Sequence, residues 1–94
     1  MSATLADVRA TFAHAKRTAE SIGVDGADRW VLQEGSKTYG RAWRIYCRDP
    51  ETGGLYGASD YLGTTRTEAE RTLRGIAHGM IVAAETVRAR EAAQ

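Results

Sequence analysis

The fold is decided by the stretch Ala42-Trp-Arg-Ile-Tyr-Cys-Arg48, which has the clearest two-residue alternation in the chain. Its apolar side chains, Trp43, Ile45 and Cys47, alternate with Arg44, Tyr46 and Arg48. Successive side chains of a strand point to opposite faces. The pattern therefore predicts a strand with one face on a core and the other face in solvent.

Weaker strand signals lie on both sides of this stretch. Residues 29–34 predict a short first strand. The run Asp49-Pro-Glu-Thr-Gly-Gly54 predicts a hairpin turn, because proline presets the early turn angle and glycine accepts a positive φ. A third strand is expected over residues 55–62, where Gly57 interrupts the pattern and indicates a bulge.

Helical periodicity flanks the three strands. Over residues 4–22, apolar residues recur at steps of three and four, and Thr4 with Asp7 forms a loose capping signal. A longer stripe of the same period covers residues 66–90 and follows Thr65-Arg-Thr-Glu68, which fits a capping box. A helix of that length spans about 38 Å, whereas a seven-residue strand spans about 23 Å. The far end of the second helix is therefore expected to overhang the sheet.

These elements predict one domain over residues 1–94, in the α+β class and in the order α-β-β-β-α. The expected architecture is a three-stranded antiparallel sheet with two helices packed on one face. The overhanging stripe then needs a cover, which either the first helix or a second chain provides. A homodimer is thus one expected state, and the first helix is expected to pack either in its own chain or in a partner.

Composition excludes several classes of protein. The chain has 94 residues, a net charge of +1 and 27% charged residues, close to globular averages. Its single cysteine rules out an internal disulfide framework, and the longest apolar run, residues 80–84, is too short for a membrane span. The first residues lack the features of a signal peptide. We therefore expect a cytoplasmic protein, in the host cytoplasm if it is phage-encoded, with no membrane partner.

Charge is distributed unevenly along the strands. Residues 29–48 contain five basic residues against one glutamate, and residues 49–65 contain three acidic residues and no basic one. The expected open face of the sheet therefore carries a candidate partner or nucleic-acid surface, formed by Arg29, Lys37, Arg44, Tyr46 and Arg48. Arginine pairs with phosphate and tyrosine stacks on bases, but an ordinary solvated face carries the same side chains.

The second helix carries another candidate surface, for a dimer or helix contact. It is formed by Gly75, Gly79, Met80, Ala84 and Val87. Each glycine inside a helix costs up to about 1 kcal/mol relative to alanine, so a close backbone approach is expected to compensate. That approach is either room for Trp30 or Trp43 beneath the helix, or contact with another helix.

The sequence lacks catalytic and metal-binding patterns. His14 and His78 stand on different predicted helices without ligand spacing, and Cys47 falls on the expected core face. Glu34 and Asp60 are candidate neighbours on the sheet, but a flat surface lacks the water-excluded cleft of acid–base catalysis. We therefore expect a protein that is not an enzyme and that uses no cofactor or metal.

Three runs carry a resemblance to known proteins: Gly40-Arg-Ala-Trp-Arg-Ile-Tyr46, Asp49-Pro-Glu-Thr-Gly-Gly54 and Tyr61-Leu-Gly-Thr-Thr-Arg-Thr-Glu-Ala-Glu-Arg-Thr-Leu73. They resemble the small accessory proteins of actinobacterial phages, and also the amino-terminal arm-binding domains of phage tyrosine integrases. Those domains combine a tryptophan-bearing middle strand, an "Asp-Pro-x-Thr-Gly" turn and a "Thr-x-x-Glu-Ala" helix start.

In the integrase domains the exposed sheet inserts into the DNA major groove. The resemblance therefore implies DNA contact by Arg44, Tyr46 and Arg48, with Arg29 and Lys37. This chain departs from the integrase pattern in its third strand, which offers Ser59 and Asp60 rather than lysines.

Two functions remain as hypotheses from the sequence. The near-zero net charge and the overhanging apolar helix favour a non-enzymatic accessory protein that binds a host or phage protein, itself, or both. The basic first hairpin favours the alternative, nucleic-acid binding through the open face of the sheet, with an affinity that falls as salt rises.

Overall fold

Two helices and three strands make up the regular structure. A computed structural model describes residues 2–35, 42–59 and 61–93. The elements are α1 (Leu5–Ser21), a single 3-10 turn (Ala27–Arg29), β1 (Trp30–Glu34), β2 (Trp43–Arg48), β3 (Leu55–Tyr56) and α2 (Arg66–Ala92). The strands form one antiparallel sheet in the order β1-β2-β3. The predicted α+β class and α-β-β-β-α order are confirmed.

A threonine side chain caps the N-terminus of each helix. In α1, Thr4 Oγ1 accepts a hydrogen bond from Asp7 N at 3.1 Å, and Asp7 Oδ2 accepts one from Thr4 N at 2.8 Å. This is a complete capping box. In α2, Thr65 Oγ1 accepts from Glu68 N at 3.1 Å, but the Glu68 carboxylate accepts from Thr64 N at 3.0 Å. The glutamate of the capping box predicted for α2 therefore reaches one residue further back than expected.

The third strand is much shorter than the strand expected over residues 55–62. It contains Leu55 and Tyr56 alone. Gly57 follows with a φ of +65°, which L side chains rarely adopt and which turns the chain out of the strand. The expected interruption at Gly57 is present, but it ends the strand instead of marking a bulge within it.

Beyond Gly57 the chain returns to β2 in an irregular way. Ser59 N donates to Ile45 O at 2.9 Å, and Ser59 Oγ accepts from Ile45 N at 3.0 Å. An isolated bridge then joins Gly63 to Trp43. From the Cys47–Tyr56 pair to the Trp43–Gly63 bridge, β2 covers four residue steps and the third segment covers seven. The three extra residues break the regular ladder.

The core lies between one face of the sheet and both helices. Its buried cluster consists of Val8, Trp43, Ile45, Leu62, Ala69 and Leu73. Half-buried side chains that pack against the cluster are Leu5, Phe12, Trp30, Leu32 and Ile76. Full burial of one leucine-sized side chain stabilises a fold by about 1.5–3 kcal/mol. Both helices draw on this cluster, so they pack on the same face of the sheet, as predicted.

The two helices lie side by side and run parallel. Near their starts, Ala3 N donates to Thr67 Oγ1 at 3.0 Å and Thr11 Oγ1 donates to Glu70 Oε1 at 3.1 Å. Further along, the buried residues are Ala15 and Ala19 in α1 and Ala77 in α2. Small side chains at these positions let the two helix backbones approach closely.

The second helix extends past the first. With 17 and 27 residues, α1 and α2 are about 26 and 40 Å long. The end of α1 lies beside Ala84 and Val87. Met80 and Ala84 are half-buried in the single chain, whereas Val87 is 51% exposed. Within the described residues, neither helix has an apolar stretch long enough to cross a lipid bilayer.

Gly63 provides a test of the packing between the third segment and α2. The residue is buried, and a Cβ placed on it would lie 2.9 Å from Ala69 N and 3.0 Å from the Glu68 carbonyl carbon. Because these are backbone atoms of α2, the helix start would have to move. We expect Gly63→Ala to lower the free energy of unfolding by about 1–3 kcal/mol, measured by urea denaturation. Gly54→Ala is the matched control, because a Cβ at position 54 would make only an ordinary contact, 3.4 Å from Thr52 Oγ1, and Gly54 has no positive φ.

Asp49 organises the turn between β2 and β3. Its Oδ1 accepts hydrogen bonds from Glu51 N at 2.8 Å and from Thr52 N at 3.4 Å. These backbone hydrogen bonds, that from Glu51 first, hold the pKa of Asp49 below its usual value, and the charge of Arg29 adds to the effect. The ionised carboxylate therefore favours the folded turn.

We expect the protein to lose stability as the pH falls from about 4 through the lowered pKa of folded Asp49. Ionised Asp49 stabilises the folded state above the pKa of the unfolded chain, and that contribution disappears when the folded state binds the proton. Asp49→Asn keeps an acceptor oxygen but does not titrate, so its Tm should fall less steeply over this range. Thermal melts of both proteins would measure the difference, and equal slopes would contradict the assignment.

Candidate functional site

The open face of the sheet carries the residues that the alternation in β2 assigned to it. In the antiparallel register Arg44 lies opposite Gln33 and Tyr46 lies opposite Val31. On the other side of β2, Arg48 lies opposite Leu55, which is 38% exposed. Trp43 and Ile45 point to the helices. The open face is therefore a mixture of basic, polar and apolar side chains.

Two arginines of this face are bound by the chain itself. Arg44 Nη1 donates to Ser59 O at 2.9 Å, and Arg48 Nη1 donates to Gly53 O at 3.1 Å. An arginine has five N–H donors, so each still has donors for a partner. Their positions, however, are set by backbone carbonyls of the loops that flank β3. Both side chains therefore also have a structural role.

A second basic group lies at the edge of the sheet near the 3-10 turn. Lys16, Arg29 and Arg48 line a depression of about 180 Å³ together with Asp28, Trp30, Val31 and Pro50. Arg29 Nε is buried and, in the part of the chain that the structure describes, has no hydrogen-bond partner. Lys16 was missed from the sequence because it comes from α1, and no local pattern links it to the hairpin. Lys37 lies outside the described residues.

The five residues of the candidate helix contact separate onto two faces of α2. Gly75 and Gly79 are exposed, and no atom would lie within 4 Å of a Cβ on either one. The interpretation that they make room for Trp30 or Trp43 is therefore wrong. Successive helix residues are rotated by about 100°. The glycines therefore face solvent on the same side as Val82, opposite the half-buried residues Met80 and Ala84.

The distal side of the helix pair is open. A depression of about 430 Å³ is lined by Ser21, Ile22, Ala83, Ala84, Val87 and Arg88. The large apolar side chains that line it, Ile22 and Val87, are exposed. α1 covers the stripe of α2 only as far as its own last turn, so the outer part of the candidate contact stays in solvent.

A groove between α1 and β1 was not predicted from the sequence. It has a volume of about 520 Å³. One wall is formed by Leu5, Arg9 and Phe12 of α1, and the other contains all five residues of β1, with Trp43 at the base. Side chains of a strand alternate between faces. A groove lined by five consecutive strand residues therefore runs along the backbone edge of that strand.

The edge of β1 that faces this groove has unpaired backbone groups. Gly35 N donates to Ala42 O at 2.9 Å, and this pair continues the β1–β2 register. Antiparallel hydrogen-bonded pairs occur at every second residue, so Val31 and Gln33 point their backbone groups at β2. Leu32 and Glu34 point theirs outward, where the described residues provide no partner. The sequence contained one indication of this free edge. When three consecutive strands form a sheet in the order β1-β2-β3, the first strand lies at one side of the sheet.

Groups with catalytic potential do not come together in the described residues. No cluster of three or more His, Cys, Asp or Glu side chains able to hold a metal is found there. His14 and His78 are exposed on different helices, and Cys47 is a half-buried free thiol. The lowered pKa of Asp7 has a structural cause, the hydrogen bond from the backbone of Thr4 in the helix cap.

Comparison with known proteins yields no relative from which a role could be transferred. No protein-family model, curated protein or solved structure matches the chain. The resemblance to phage accessory proteins and integrase arm-binding domains stays a prediction. The choice between protein binding and nucleic-acid binding therefore depends on the surfaces described above.

The exposed glycines of α2 give a direct stability test. Because nothing lies near a Cβ at position 75, Gly75→Ala is expected to raise the free energy of unfolding by up to about 1 kcal/mol. Denaturant unfolding measures the change, and Gly79→Ala should behave in the same way. Destabilisation by either substitution in the monomer would contradict the placement of these glycines on the solvent face.

Proposed function

We propose that this chain is a small, non-enzymatic accessory protein, of the phage type that its sequence resembles, which binds a segment of another protein. The observation that supports this most strongly is the unpaired edge of β1 beside a groove whose walls combine apolar side chains with Arg9, Gln33 and Glu34. An exposed strand edge is a template for pairing with another chain, and natural proteins normally block such edges unless they are used. Here the edge is flanked by half-buried Leu5, Phe12, Trp30 and Leu32.

The charges of the open sheet face favour this function over nucleic-acid binding. Arg44 and Arg48 each spend a donor on a backbone carbonyl of their own chain. Asp49, whose pKa is lowered mainly by the backbone hydrogen bonds from Glu51 and Thr52 and to a smaller extent by the charge of Arg29, adds an acidic group directly after Arg48. The face also exposes Leu55. Dedicated nucleic-acid surfaces are more uniformly basic.

Nucleic-acid binding remains the second candidate because of one specific observation. Lys16, Arg29 and Arg48 line the same depression, and Arg29 Nε has no hydrogen-bond partner among the residues that the structure describes. Three cations around one concave site can bind a phosphate group, and the affinity for nucleic acid would then decrease with salt. The variants Arg29→Ala and Arg48→Ala, alone and combined, remove two of these three cations and leave the side chains that line the β1 groove unchanged.

Site-specific photo-crosslinking in the native host cell tests the proposed function. Benzoylphenylalanine replaces Glu34, an exposed residue that lines the groove, or Glu51, an exposed residue in the turn at the opposite end of the sheet. We expect a protein adduct from position 34 that is weak or absent from position 51. The captured protein, purified by itself, should then bind the purified full chain in calorimetry.

The matched glutamate positions make the outcomes distinct. Equal protein adducts from both positions would indicate nonspecific contact and overturn the proposal. Protein adducts from neither position, together with DNA or RNA binding at low salt that the arginine variants abolish, would establish the alternative function.

A further inference from the structure

We propose that the groove between α1 and β1 receives an extended segment of the partner, which adds to the sheet as a fourth strand beside β1. The segment has apolar side chains at alternate positions and a carboxylate that contacts Arg9. This inference rests on the proposed function and specifies the chemistry of the partner at the same site.

The backbone of β1 offers the hydrogen bonds for such a strand. Leu32 N–H, Leu32 C=O and Glu34 N–H point away from β2 and have no partner within the described residues. Trp30 N–H is already used, because it donates to Ala27 O at the end of the 3-10 turn. The available groups therefore begin at Trp30 C=O and continue to Glu34. Five strand residues span about 17 Å, the length of a segment of about five residues.

The side chains of the groove select an apolar segment. Leu5 and Phe12 on α1 face Trp30 and Leu32 on β1, and all four are half-buried against the core cluster. Alternate side chains of an added strand point to the same face as Trp30 and Leu32, so they would enter the space beneath α1. Backbone pairing with pockets for alternate side chains is a general mode of peptide recognition.

Arg9 gives the groove a preference for a negatively charged segment. It is exposed on the α1 wall of the groove and, within residues 2–35, 42–59 and 61–93, forms no ion pair. The ion pair found in this part of the chain joins Arg74 to Glu70 on α2. An arginine beside an apolar surface binds a carboxylate through two parallel hydrogen bonds. An aspartate, a glutamate or a terminal carboxylate on the segment meets this requirement.

A second copy of the chain fits the groove poorly. Edge-to-edge pairing would bring the two β1 strands to about 4.8 Å from each other. Each β1 edge is flanked by an α1 helix, which is about 10 Å wide with its side chains. In antiparallel pairing about an axis perpendicular to the sheet, both helices would lie on the same side of the joined sheet and would have to share the space above the paired edges. A single extended segment carries no such helix, so we assign the groove to a peptide segment.

The test begins with random nine-residue peptides displayed on filamentous phage and selected on the immobilised full chain. We expect enriched peptides with apolar residues at alternate positions, at least one Asp or Glu, and no proline in the paired stretch. One selected peptide is synthesised, and its Kd is measured by fluorescence anisotropy against wild type and variants.

Glu34→Pro and Glu34→Ala form the decisive pair of variants. Proline removes the outward Glu34 N–H but leaves the β1–β2 hydrogen bonds intact, and edge strands tolerate it. Alanine removes the same side chain and keeps the N–H. We expect Glu34→Pro to weaken peptide binding about tenfold. Glu34→Ala should stay within about twofold of wild type. Circular dichroism melts verify that both variants fold.

Arg9→Glu should also weaken the acidic peptide about tenfold or more, with partial recovery for a peptide in which lysine replaces the acidic residue. Absence of enriched peptides, enrichment of a helical spacing, or equal affinities for Glu34→Pro and Glu34→Ala would overturn the inference. A dimer of the free chain that Glu34→Pro dissociates would overturn it too, by showing a second copy at the edge. The proposed function would survive these results if the protein crosslinked at position 34 still bound the chain.

Discussion

Trp43 is held from three directions, and the rest of the structure depends on this arrangement. On one side it lies opposite Glu34 of β1. On the other side its backbone donates to Gly63 O at 2.9 Å and accepts from Leu62 N at 2.7 Å. Its indole is buried in the core cluster that both helices share. Trp43 thus joins the hairpin, the irregular third segment and the helix pair into one unit.

Placing β2 at the centre leaves β1 at the edge. A three-stranded meander has two edges, and they are treated differently in this chain. The outer segment beside β2 is irregular, with three residues more than a regular ladder requires, and β3 itself has two residues. Irregular edges resist pairing with other strands. β1 is regular over all its five residues, and its outer backbone groups face the groove beside α1.

This difference explains why the functional proposals concern backbone geometry more than side-chain chemistry. The arginines that the sequence marks are distributed over a face where Arg44 and Arg48 also hold loops in place. The lowered pKa values of Asp7 and Asp49 arise in a helix cap and a turn, where backbone amides stabilise the ionised form. The surface best suited to a partner is the row of backbone N–H and C=O groups along the outer edge of β1. The amino-acid types in a sequence do not show which backbone groups lack a hydrogen-bond partner.

The sequence by itself determined those elements that depend on residues close together in the chain. Helix periods and threonine caps determined both helices to within two residues, and alternation determined β2 and the face of Arg44, Tyr46 and Arg48.

The tertiary structure decided the features that depend on distant neighbours. Gly57 was visible as an interruption, but the length lost from β3 depended on how Ser59, Leu62 and Gly63 bond to β2. The periodicity of α2 could not place Gly75 and Gly79 in solvent. Periodicity shows which residues share a face of the helix, but the packing of α1 decides which face is covered. The groove beside β1 arises in the same way, since it exists only where a helix and a strand edge from separate parts of the chain come together.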